Sequence, residues 1–192
     1  PLMAAADTGR AYVPMGTADS VGVIDLESRQ VTASITGTVN THGSALTPDG
    51  RYIWFSRRQT TRDWDYNAQL PAYHIAVYDR ETGNTFTRVS RYGGAFRPTL
   101  SADGLNLVYG TRHEDQTGLM IRDLETSEER WLAYPVQHDD QESRGTLDVL
   151  PGMSFTPDGS ALIASYGGKL WSIPVAGGDA VEIPFRVQTE VE

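Results

Sequence analysis

The densest gathering of ionisable groups in this sequence is Gln137-His138-Asp139-Asp140-Gln141-Glu142, one imidazole among three carboxylates, with Arg144 close behind. Carboxylates of that kind ligate divalent cations, and a histidine beside a carboxylate suits proton transfer. The spacing favours a plainer role. Asp139 and Asp140 are adjacent and need not point the same way, and no glycine-centred calcium loop surrounds them. A solvated or structurally hydrogen-bonded loop is the expectation here, with ligand contact by His138, Asp139, Asp140, Glu142 and Arg144 as the sharper alternative.

A second candidate is Arg62-Asp63-Trp64-Asp65-Tyr66, preceded by Arg57 and Arg58. Trp, Tyr and Arg are the residue types that anchor interfaces, and they also fold a long loop back onto its own support. His113-Glu114-Asp115 reads as an exposed polar turn. Other chemistries have no foothold. No Gly-x-Ser-x-Gly elbow is present, and Lys169, the one lysine, lacks a phosphate-cradling glycine context. With no cysteine there is no disulfide frame, thiol nucleophile or thiolate metal site. No catalytic residue and no cofactor or metal site is assigned to this chain.

These candidates hang on a repeat. Thr47-Pro48-Asp49-Gly50 leads into Tyr52-Ile53-Trp54-Phe55; Ser101-Ala102-Asp103-Gly104 and Thr156-Pro157-Asp158-Gly159 lead into similar apolar runs. A weaker copy, Asp7-Thr8-Gly9-Arg10, opens the chain with an extra residue in its turn. Proline presets φ at the second position of a β-turn and glycine closes the fourth, so each copy predicts a hairpin. Each unit also carries a second apolar run; in the first three it ends in an acidic turn, at Asp25, Asp79 and Asp123, where the Asp accepts backbone N–H bonds and steadies the hairpin, and in the fourth Pro174 replaces the acid.

Four short antiparallel strands recurring every several tens of residues predict an all-β fold of propeller blades. The units are about 1–35, 41–89, 94–132 and 150–187, with insertions at 57–72 and 133–149. The consecutive apolar positions 52–55 suit a middle strand covered on both faces. In a four-stranded meander the tight turns share one end of the blades and both insertions share the other. Recognition is expected on that insertion face, since loops on a rigid scaffold carry binding residues. Four units and a degraded first copy fit a piece of a larger ring.

The chain has 192 residues and a formal net charge of −9, which argues against nucleic acid or an anionic membrane surface as partner. No apolar run approaches the roughly 20 residues needed to cross a bilayer, so membrane insertion is not expected. Any signal peptide would lie upstream of Pro1.

The repeated Ser/Thr-Pro-Asp-Gly turn followed by an apolar strand resembles the TolB-like β-propellers. Within that group, Asp139–Arg144, Leu150–Gly159, Tyr166–Trp171 and Ile183–Phe185 resemble the propeller that precedes the barrel in two-domain bacterial amidohydrolases. The resemblance implies a periplasmic or secreted protein and a non-catalytic propeller segment that covers or gates a catalytic domain absent from this chain. Any divalent metal would belong to that absent domain, because His42, His74, His113 and His138 never form the family's His-x-His pair. The alternatives are a TolB-like protein-binding scaffold without catalysis and the gating propeller of an oligopeptidase. The implied partner is a catalytic domain or another protein.

Overall fold

In the computed structural model, residues 9–58, 73–138 and 152–188 are described, and they are almost entirely strand and turn. The first sheet holds β1 (Arg10–Met15), β2 (Ser20–Asp25) and β3 (Gln30–Thr36). The second holds β4 (His42–Leu46), β5 (Tyr52–Arg58), β6 (Tyr73–Asp79) and β7 (Thr85–Val89). The third holds β8 (Phe96–Leu100), β9 (Asn106–His113), β10 (Gln116–Asp123) and β11 (Glu129–His138). The fourth holds β12 (Met153–Phe155), β13 (Ala161–Tyr166), β14 (Lys169–Pro174) and β15 (Val181–Ile183). Every sheet is an antiparallel meander paired in chain order, and the sheets stand as four consecutive blades of a β-propeller. β4 packs against β8, and β8 against β12, so the first strand of a blade lies innermost.

The Asp-Gly turns show why their residues recur. Gly50 N–H closes each turn onto Thr47 O at 2.8 Å, as Gly104 does onto Ser101 O and Gly159 onto Thr156 O. The three glycines have φ of 71°, 74° and 71°, a left-handed conformation in which a Cβ would be strained. Thr47 Oγ1 donates to Asp49 Oδ1 at 2.5 Å, while Asp49 Oδ1 accepts Arg51 N–H at 3.0 Å. Ser101 with Asp103, and Thr156 with Asp158, repeat the arrangement. Asp79 and Asp123 accept the N–H two residues on, from Glu81 and Glu125, and Asp25 accepts Ser28 N–H.

Backbone bonds tie the two sets of turns together at one end of each blade. Arg80 N–H bonds Arg51 O, Leu124 N–H bonds Leu105 O, Val175 N–H bonds Ser160 O and Leu26 N–H bonds Gly9 O. By the last of these Gly9 stands level with Arg51, so β1 is the counterpart of β5, the second strand of a blade. The first sheet has three strands among the described residues, and the turn at Asp7-Thr8 lies outside them.

The core lies in the seams between blades. Ile53, Trp54 and Phe55 are buried at consecutive positions, as covering of both sheet faces requires. Trp54, Ile75, Val77 and Val89 meet Ala95, Leu100, Leu107, Tyr109 and Met120 between the second and third blades. Val108, Leu119, Ile121 and Leu132 meet Met153, Phe155 and Leu162 between the third and fourth. Among the described residues the seam between the first two is thinner, with Ile53, Phe55 and Ala76 against the half-buried Tyr12 and Ile35. Each large apolar side chain buried this way contributes about 1.5–3 kcal/mol.

Two stretches read as connections are strand. Arg57 and Arg58 end β5, and β11 runs on through residues 133–138. A register shift between Thr117 and Met120 lets the longer β11 stay paired with β10.

Candidate functional site

The blade ends opposite the Asp-Gly turns gather side chains from three blades. Arg58 N–H bonds Val39 O at 2.9 Å, and Ala95 N–H bonds Tyr73 O at 3.0 Å, so the two interblade crossings are pinned to the ends of β5 and β6. Asn40 N–H reaches back to Asp19 Oδ1 at 2.7 Å. Its amide Nδ2 donates to Tyr73 Oη at 2.6 Å, and its Oδ1 lies 3.2 Å from His42 Nε2. The Tyr73 ring centre is 5.4 Å from that of Phe96, and the Arg112 guanidinium lies 4.6 Å over the Phe96 ring. His42, Asn40, Tyr73, Phe96 and Arg112 thus form one linked chain across the second and third blades.

Burial dominates the electrostatics there. The Tyr73 hydroxyl is pushed above its usual range by burial, with the charges of Arg58 and Arg112 opposing the shift. Beside it, Arg57 Nε donates to His74 Nε2 at 2.9 Å. Burial, and then the adjacent Arg57 charge, lowers the His74 pKa to about 4. His74 is therefore neutral, with its proton on Nδ1, and that buried atom has no hydrogen-bond partner among the described residues. The same burial lowers the Arg57 pKa.

Arg97 adds a conformational signal. It sits on the innermost strand β8 with φ of 50°, its N–H donating to Ser56 Oγ at 2.7 Å. Four positions before each Ser/Thr-x-Asp-Gly turn the other copies have glycine, Gly43 and Gly152, where this blade has arginine. A left-handed arginine in a glycine position costs on the order of 1 kcal/mol or more and persists where its surroundings hold it. Its backbone is seated against Gly43, where an added Cβ would lie 3.1 Å from Arg97 Cα.

The residues singled out from the sequence fall in separate places. Arg57 and Arg58 border this cluster. His113 lies elsewhere, at the end of β9, where its ring is 5.9 Å from Trp131 and 5.5 Å from Tyr134, and the Tyr134 hydroxyl donates to His113 O at 3.1 Å. It is thus the edge of an aromatic cluster on the outer strand; the polar turn itself is Glu114 and Asp115. His138 ends β11, its backbone paired with Gln116. Arg62, Trp64, Asp65, Tyr66, Asp139, Asp140, Glu142 and Arg144 lie outside the described residues. Among the described residues, no group of three or more His, Asp and Glu could hold a metal ion.

Sequence reasoning missed His42, Tyr73, His74, Phe96, Arg97 and Arg112 as a group. His42 and Phe96 occupy the same place one repeat apart, and Arg97 interrupts a glycine position, so aligning the copies residue by residue would have exposed both.

Comparison of whole folds now decides the architecture. The chain superposes on TolB from Acinetobacter baumannii with a TM-score of 0.69 at 21% identity, covering 93% of this chain and 42% of that one. The fold is that of a TolB-like β-propeller. A second TolB, a putative one from Agrobacterium tumefaciens, gives a TM-score of 0.67 at 13% identity, covering 95% of this chain and 60% of that one. Hydrazine synthase from Kuenenia stuttgartiensis gives 0.55 at 18% identity, covering 94% of this chain and 64% of that one. The propeller described here therefore spans less than two thirds of the length of each. No protein-family model matches the chain, and no curated protein sequence matches it. The narrower likeness to the propellers of two-domain amidohydrolases draws no support from these neighbours.

Proposed function

We propose that this propeller is a non-catalytic binding scaffold that engages a protein partner through the blade ends around His42, Tyr73, Phe96 and Arg112. The observation that carries the reading is the linked chain of arginine, aromatic and amide side chains from two blades. Tyr73 and Phe96 are themselves buried and fix the frame, while the half-buried Arg58, Arg97 and Arg112 are of the residue type that carries binding energy. Their setting also favours selectivity. The chain as a whole has a net charge of −9, yet Arg57, Arg58, Arg97 and Arg112 gather at one end, and guanidinium groups suit recognition of carboxylates on a partner. The opposite end spends its polar groups on closing its own turns.

The reading includes a periplasmic or secreted location, as in the resemblance drawn above. Among the described residues no helix is long and apolar enough to cross a membrane. A photo-crosslinking residue placed in the native host at Tyr92, exposed on the crossing whose Gly93 O accepts the Arg112 N–H, is expected to capture a discrete partner, and one placed at Asp103 at the turn end is not. Equal capture at both positions would sink the proposal. A His-x-His pair encoded downstream of Glu192 would make that partner a catalytic barrel on the same polypeptide.

A further inference from the structure

The outer rim of the third blade carries an aromatic patch that stands apart from the arginine group. β11 is the outermost strand of its sheet, and its pairing with β10 jumps from Thr117 with Gln137 to Leu119 with Ala133. This bulge falls opposite Gly118, and bulges re-aim the side chains they carry. A Cβ on Gly118 would lie 2.6 Å from Trp131 Cζ3 and 2.7 Å from Tyr134 Cδ2, so the glycine leaves room for both rings. The two ring centres are 4.7 Å apart, and they lie 5.9 and 5.5 Å from that of His113. Despite this packing Trp131 is 36% and Tyr134 37% exposed. Glu114 and Asp115 stand exposed at the adjoining hairpin tip. Desolvation, and then the nearby charges of these two carboxylates, hold the Tyr134 hydroxyl above its usual range.

The fourth blade shows what such a patch holds. Its corresponding hairpin turns through Gly167 and Gly168 between Tyr166 and Lys169, as β9 and β10 turn through Glu114 and Asp115 between His113 and Gln116. There Tyr166 stacks on Trp171 at 5.3 Å, and the ammonium of Lys169 lies 5.6 Å from the Trp171 ring centre. That aromatic pair carries a cation from its own strand. In the third blade the lysine is replaced by Gln116 and the two glycines by carboxylates. Glu114 keeps the left-handed turn, with φ of 55° against 58° for Gly167, where glycine is the relaxed choice. Arg91, paired with Glu129 at 3.6 Å, lies 5.9 Å from the Trp131 ring centre, so the patch already accepts one guanidinium. Aromatic faces attract such cations, and a neighbouring carboxylate strengthens the attraction. The rings pack on one another rather than around a cavity, which suits a side chain presented on a partner's surface. We propose that His113, Glu114, Asp115, Trp131 and Tyr134 form a recognition site for an arginine or lysine side chain of a protein partner. The contact is opposite in sign to that of the arginine end and independent of it.

The probes are a capped Gly-Arg-Gly tripeptide and, as its uncharged match, a capped Gly-Gln-Gly tripeptide. Each is added to the full chain at low salt while the Trp131 indole N–H, assigned with Trp131→Phe, is followed by NMR. The arginine peptide is expected to shift that signal saturably, with a Kd on the order of millimolar, and the glutamine peptide to bind at least about tenfold more weakly. Glu114→Gly combined with Asp115→Gly copies the tip of the fourth blade. The melting temperature should stay level or rise, since glycine relaxes the left-handed turn, while the arginine peptide should bind at least about fivefold more weakly. An unmoved indole, equal shifts with both peptides, or unchanged affinity in the double variant would overturn the proposal. Should that variant lose stability, Glu114→Gln removes the charge and leaves the turn; weaker binding of the arginine peptide supports the site, and unchanged binding overturns it.

Discussion

The two ends of this propeller use the same polar chemistry for different purposes. At the turn end, the Asp-Gly aspartates are satisfied by their own hairpins: Asp103 binds Ser101 and Leu105, and Asp158 binds Thr156 and Ser160. At the other end, partners come from different blades: Asn40 joins Asp19 to Tyr73, and Arg97 leans on Ser56. Local satisfaction makes a surface that repeats and that carries little information. Long-range satisfaction makes one whose composition is unique to a single seam, and selective binding needs such a surface.

The largest effect is expected from the crossing between the second and third blades. Gly93 has φ of 83°, and a Cβ there would lie 1.9 Å from Arg112 O. Gly93→Ala should therefore destabilise the chain by roughly 3 kcal/mol or more in a denaturant titration. Gly159→Ala, at a turn with the same handedness but nothing within 4 Å of the new Cβ, should lose only about 1 kcal/mol.

Acid separates the ends next. His74 takes up a proton in the unfolded chain near pH 6.5 but in the folded chain only at about 4. The unfolded state binds more protons across that window, so stability falls as pH drops from 6.5 towards 4. Asp79, paired first with Arg51, and Asp158, bonded first to Thr156, are held at about 2 against an ordinary 3.8. Their contribution is complete above about 3.8 and disappears as pH falls through about 2. Thermal melts against pH should show two limbs, with His74→Gln flattening the upper and Asp79→Asn the lower; a profile unchanged by either variant would contradict the assignment.

Smaller effects follow. Asp103→Ala removes a hydroxyl acceptor and a backbone cap and should lower stability by about 1 kcal/mol. Arg112→Gln should change stability by less than about 0.5 kcal/mol while removing the crosslink expected at the arginine end, a split between folding and recognition that no turn-end variant should show.

The repeat was legible because a type of turn leaves a mark in three or four adjacent residues: Pro48, Asp49 and Gly50 act together and locally. Blade order and the sorting of loops to two ends followed from it. The place of β1 as a second strand of its blade was not legible, since the degraded copy carries its glycine one position later and the Leu26 to Gly9 bond is what sets the register. The candidate site was hidden for a related reason. Its members lie on β4, β6, β8 and β9, each surrounded in sequence by core residues, and stacking of blades is what assembles them. Runs of charge such as Asp139–Glu142 attract notice because they are contiguous, whereas Tyr73 and Arg112 become neighbours only through the fold.

The thin seam beneath Tyr12 and Ile35 has a mechanical consequence. In a stack where each blade leans on its neighbours, cohesion behaves like a row of joints, and a row yields at its weakest. Among the described residues Ile53, Phe55 and Ala76 are the buried cluster of the first joint, against larger clusters in the other two, so the first blade is expected to peel away before the remaining three melt. Pulling or heating should then register its release as a separate early event.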